Sequence, residues 1–104
     1  MEQLDADKLA AVLESESRGV LIDFWSPWCG PCRALKPHLA KLADEREKTW
    51  RFVAVNTEAH PEVAEDYGVT ALPTLVFLRA GEELSRLAGA ALPSTIDAKL
   101  DELA

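Results

Sequence analysis

Cys29 and Cys32 are the only cysteines in this chain of 104 residues, and two residues separate them. On the first turn of a helix that spacing puts both sulfurs on one face, close enough to bridge. The residues between them are Gly30 and Pro31. Proline suits an early helical position, where its missing N–H has no intrahelical partner. Glycine allows a tight turn and leaves the approach to Cys29 open. The unpaired N–H groups and the positive dipole end of a helix favour an anion. A thiolate at Cys29 is such an anion, so this sulfur is expected to ionise below the ordinary thiol range and to act as a nucleophile. Cys32, one turn further in, is expected to be more buried and to act as the resolving thiol, which releases product from a mixed disulfide.

The flanking elements must hold the pair in place. Val20 to Trp25 is a short apolar run with branched residues and reads as a central strand. A helical pattern follows from about Cys32 to Arg46, with Leu35, Leu39 and Leu42 on one stripe. Pro37 falls inside that pattern and is expected to kink the helix. Asp23 interrupts the strand six residues before Cys29. An acid inside a buried strand is costly unless it has a task or a partner. Burial should raise its pKa and let it accept a proton near neutral pH.

Leu4 reads as the end of a very short first strand, and Asp5 as the N-cap of a helix carrying Leu9, Val12 and Leu13. Trp50 to Val55 is a further strand, and a short helix from about Glu62 to Tyr67 stops at Gly68. Leu75 to Leu78 and Glu83 to Leu87 read as a hairpin around Ala80-Gly81-Glu82, and a last helix from Pro93 or Ser94 carries Ile96, Leu100 and Leu103. Helical crossovers imply parallel strands in the first half, and the hairpin implies an antiparallel pair at the end. The residues by themselves support an α/β sandwich with a mixed sheet in one domain, residues 1–104.

The formal charge of −7 argues against nucleic acid and anionic membranes as partners. No apolar run approaches the roughly 20 residues of a membrane span. The acidic start, Met1-Glu2-Gln3-Leu4-Asp5, lacks the pattern of a signal peptide, which makes the cytoplasm the expected compartment. Two cysteines in a reducing compartment read as redox or metal chemistry rather than as a structural staple. For zinc, the available ligands are two cysteines plus His38 and His60, and neither histidine has convincing ligand spacing. An iron–sulfur cluster shared across a dimer is the other metal reading. Monomer is the default otherwise.

Asp23-Phe24-Trp25, followed by Trp28-Cys29-Gly30-Pro31-Cys32, resembles the active-site signature of the thioredoxin family, and the likeness extends over nearly the whole chain. The resemblance implies the thioredoxin fold, a central mixed sheet of about five strands flanked by about four helices. It implies a protein-disulfide reductase whose Cys29 and Cys32 cycle between dithiol and disulfide. Asp23 would assist deprotonation of Cys32. The bond before Pro73 would be cis, with Pro73 facing the cysteines. Trp28, Gly30, Pro31, Leu72, Pro73, Ala88, Gly89 and Ala90 would form an apolar, backbone-rich rim that binds extended peptide. No cofactor would be bound. Electrons would come from NADPH through thioredoxin reductase, and the partners would be that reductase and disulfide-containing clients. A disulfide oxidase or isomerase of the same fold, or a non-catalytic chaperone-like module, are the other readings.

Two departures stand out. The family often has a lysine on the strand adjacent to this acid, where this chain has Ala54, which would leave Asp23 harder to ionise. Ser26-Pro27 replaces the family's commoner small-plus-acidic pair, which should ease thiolate formation at Cys29 slightly.

Overall fold

Alternation along the strand Gly19–Trp25 (β2) organises the molecule. Val20, Ile22 and Phe24 face one side, and Leu21, Asp23 and Trp25 the other, because successive side chains of a strand point to opposite faces. The first set joins Leu9 and Val12 from the helix Ala6–Ser15 (α1) and Val63 from the helix Pro61–Asp66 (α3) in one core cluster. Leu21 joins a second cluster with Leu35, Leu39 and Leu42 from the helix Gly30–Glu45 (α2) and with Ile96 and Leu100 from the helix Pro93–Glu102 (α4). The result is a sheet with two helices on each face, described for all 104 residues by a computed structural model.

The remaining strands are Glu2–Gln3 (β1), Trp50–Asn56 (β3), Thr74–Arg79 (β4) and Glu82–Ala88 (β5). Their spatial order is β1-β3-β2-β4-β5. The pairs β1–β3 and β2–β3 are parallel, and β2–β4 and β4–β5 are antiparallel. This is the five-stranded mixed sheet with four helices that the resemblance implied. Strands β2, β3 and β4 are covered on both faces, which explains their almost continuous apolar runs.

Local signals behave as their chemistry requires. The Asp5 carboxylate accepts from the Lys8 N–H at 2.8 Å, capping α1. Ala80 and Gly81 both take positive φ, 53° and 77°, the backbone of a type I′ turn, whose twist suits a hairpin. Two expected boundaries move. Helix α2 starts at Gly30 rather than near Cys32, because Cys29 itself caps it. Leu4 lies beyond β1 and is buried in the core beneath α1, although its N–H still donates to the Ala54 carbonyl. Helix α2 runs on through Pro37 as one element. Its C-cap, Arg46, ties it to α4 by pairing with Asp97 and Asp101, one helical turn apart.

Candidate active site

Strand β2 ends at Trp25, and Ser26 to Cys29 turn the chain into α2, with the Cys29 N–H donating to the Ser26 carbonyl at 3.2 Å. Cys29 is the N-cap of α2, in extended conformation, and its Sγ accepts from the Cys32 N–H at 3.1 Å. The sulfur therefore occupies the place of a capping oxygen, where unpaired helical N–H groups and the dipole favour negative charge. Cys29 and Cys32 are joined in a disulfide with their Cα atoms 5.2 Å apart. Cys29 is half-buried, whereas Cys32 is 3% exposed. Access thus differs between the two sulfurs as expected of an attacking and a resolving thiol.

Asp23 faces the α2 side of the sheet and is 4% exposed. Its register partners are Ala54 on β3 and Leu75 on β4, neither of which offers a polar side chain. Its Oδ1 has no hydrogen-bond partner. Burial pushes its carboxyl up to about 7, and the positive charge of Lys36 opposes that rise. A cavity of about 240 Å³ is lined by both Asp23 and Cys32 and also by Trp25, Pro27, Arg33 and Lys36. The carboxyl and the inner cysteine therefore share one cavity.

The expected rim is only partly assembled in one place. The Leu72–Pro73 bond is cis, and Pro73 is buried. Pro31, Pro73 and Ala90 line a cleft of about 230 Å³ together with His38, Ala91 and Pro93. Gly30 and Ala88 are exposed beside it, and Trp28 stands out at 82% exposure. The Leu72 side chain is half-buried and packs against the core cluster beneath α1 and α3. Gly89 has φ of 84°, a conformation that favours glycine, and its N–H donates to the Pro73 carbonyl at 2.8 Å. That bond fixes the end of β5 against the proline loop.

Sequence reasoning passed over Lys36 and Gln3. The Trp25 Nε1 donates to Gln3 Oε1 at 2.9 Å, and the Lys36 ammonium lies 5.6 Å from the centre of the Trp25 ring. The available signal was spacing, since Lys36 follows Cys32 by four residues and must share its helical face. Leu92, 69% exposed at the start of α4, is a further apolar group that the sequence reading did not single out. The structure gathers no group of three or more His, Cys, Asp or Glu side chains that could hold a metal, so His38 and His60 do not join the cysteines in one. No helix is long and apolar enough to cross a membrane.

A sequence model of the family described as Thioredoxin matches residues 1–102. Thioredoxin 1 of Synechococcus elongatus is 40% identical over 98 residues, covering 94% of this chain and 91% of that protein. Thioredoxin of Pyropia yezoensis is 41% identical over 83 residues, 80% of this chain and 78% of the relative. Among solved structures, Fasciola hepatica thioredoxin superposes with a TM-score of 0.88 at 34% identity, covering 98% of both chains.

Proposed function

This chain belongs to the thioredoxin family and exchanges dithiol for disulfide at Cys29 and Cys32, and on that premise we propose that it is a general protein-disulfide reductase acting through one domain, residues 1–104. One observation carries the assignment of roles. The bridged pair sits at the open end of α2, with the outer cysteine more accessible and a buried, unpartnered carboxyl sharing a cavity with the inner one.

The cycle follows from that arrangement. With the pair reduced, the Cys29 thiolate attacks one sulfur of a client disulfide, a bond forms to that sulfur, and the other client sulfur leaves as thiolate. The Cys32 thiol then gives its proton to the Asp23 carboxylate, whose raised pKa makes it a competent acceptor near pH 7. The Cys32 sulfur attacks Cys29 Sγ, the mixed disulfide breaks, and the client leaves with both sulfurs reduced. Two electrons have passed to the client, and the protein holds the disulfide seen here. Trp28, Gly30, Pro31 and the two segments Leu72-Pro73 and Ala88-Gly89-Ala90 bind client backbone around Cys29.

The family works without a bound cofactor, and its partners are a reductase and client proteins. The electrons that recharge the pair come, in this proposal, from NADPH through a flavoprotein thioredoxin reductase. The chain acts as a monomer in the cytoplasm, where the dithiol state is maintained.

Insulin reduction by dithiothreitol, followed by turbidity, tests the reading. Wild type should shorten the lag severalfold, and Cys29→Ser should match dithiothreitol alone. Equal slow rates for the two proteins would reject the reductase.

A further inference from the structure

We propose that Lys36, reaching from helix α2, is the positioning residue that supplies the cation for Asp23 and so sets the pH at which Cys32 is deprotonated. The inference rests on the proposed exchange cycle and concerns a residue that this cycle does not itself require.

The geometry restricts the source of positive charge. Strand β3 offers Ala54 opposite Asp23, and β4 offers Leu75, so the neighbouring strands bring no charge to the carboxyl. What remains lines the cavity. Helix α2 contributes Cys32, Arg33 and Lys36, and the start of the chain contributes Met1 and Gln3. Lys36 stands one turn beyond Cys32 on the same face. Cys32 is buried and Lys36 exposed, so the helix carries the thiol at the inner end of the cavity and the ammonium near its outer end.

One contact holds that ammonium, and a second holds the ring it rests on. It lies over the Trp25 ring, whose negative face attracts a cation. The ring in turn is fixed by its Nε1–H bond to Gln3. Trp25 is two residues beyond Asp23 on the same face of β2, so the platform holds the ammonium on the carboxyl's side of the sheet. Among the charges around Asp23, that of Lys36 is the one that opposes the effect of burial.

The consequence is a division of labour. Burial keeps Asp23 protonated to higher pH than an ordinary carboxyl. Lys36 limits that rise, so that the carboxylate is present in time to take the Cys32 proton. Because Lys36 is exposed, salt should weaken its influence.

The test is a carboxyl NMR titration of Asp23 in the oxidised protein, beside the pH profile of client reduction. Lys36→Met keeps much of the stem and removes the charge. It should move the Asp23 midpoint upward and slow reduction at pH 6.5 by roughly threefold, the factor for half a pH unit. Lys36→Glu should move the midpoint further the same way, and Lys36→Arg should restore the wild-type profile. Raising salt to 1 M should shrink the difference between wild type and Lys36→Met. An Asp23 midpoint unchanged in both Lys36→Met and Lys36→Glu would overturn the proposal. The titration needs no turnover, so a failure of the reductase reading, seen as inactivity of wild type, is a separate outcome.

Discussion

Asp23 and Glu16 are both carboxylates largely removed from water, yet the protein drives them in opposite directions. Asp23 is 4% exposed and its carboxyl is pushed up to about 7. The Glu16 side chain is 9% exposed and is pulled down to about 2. The difference lies in their partners. Glu16 follows α1 and accepts from Arg18 through the side chain, at 2.8 and 3.1 Å, and through the backbone N–H at 3.1 Å. Arg51 adds a fourth donor at 3.3 Å. Asp23 has an oxygen with no partner, and of the charges near it Lys36 is the one that opposes the effect of burial. One acid is held permanently ionised as part of the scaffold. The other is left able to exchange a proton, and that is the one beside the cysteines. Burial of a carboxyl is therefore not by itself a catalytic sign; the missing partner beside the cysteines is what supports the role proposed for Asp23.

The largest test of this contrast is Asp23→Asn. In the folded protein Asp23 keeps its proton up to about pH 7, whereas its reference value is 3.8. Its effect on stability is thus fully favourable below about pH 4 and is lost as pH rises through 7. Asp23→Asn should be more stable than wild type at pH 8 by about 2–4 kcal/mol in urea denaturation, and equal to it below pH 4. The same variant should slow resolution of the mixed disulfide. No gain in stability at pH 8 would mean that Asp23 has a partner after all, and the contrast would collapse.

Glu16→Gln comes next and should have the opposite sign. The depressed pKa of Glu16 supplies stability above about pH 4.5, which is lost as pH falls toward 2. Removing the charge should cost about 1–2 kcal/mol at pH 7 and leave the rate of client reduction unchanged. A loss of reduction rate in Glu16→Gln would break the assignment of this acid to the scaffold.

The smallest effect sharpens the role of burial. Glu2 is also bonded to Arg51, at 2.7 Å, but its side chain is 52% exposed. Glu2→Gln should change stability by less than about 0.5 kcal/mol, because water and salt screen an exposed pair. A larger loss, comparable with that of Glu16→Gln, would show that the whole ion-pair group acts as one unit.

Much of the site was legible because its signals are local. The pairing of Cys29 with Cys32 and the proline at the helix start follow from residues a few positions apart. So do the Asp5 cap and the Ala80-Gly81 hairpin. The burial of Asp23 could also be anticipated, since a lone acid in a six-residue apolar run has nowhere wet to point. Leu72 was harder to place, because an apolar residue before a buried proline can turn toward client or core, and here it packs on the core. The fully buried strands β2, β3 and β4 look alike in sequence, so their neighbours could not be read from periodicity.

The amino-acid sequence by itself determined a strand that delivers two cysteines to a helix start, with an acid six residues earlier. These features depend on near neighbours and on backbone preferences that act within a turn or two. The tertiary structure decided what surrounds that acid: Ala54 and Leu75 beside it, and Cys32, Arg33 and Lys36 lining the same cavity. It also decided that Glu16 would meet Arg51, 35 residues away. A carboxyl's proton affinity depends on charges and solvent within a few ångströms, and packing of distant segments fixes that neighbourhood.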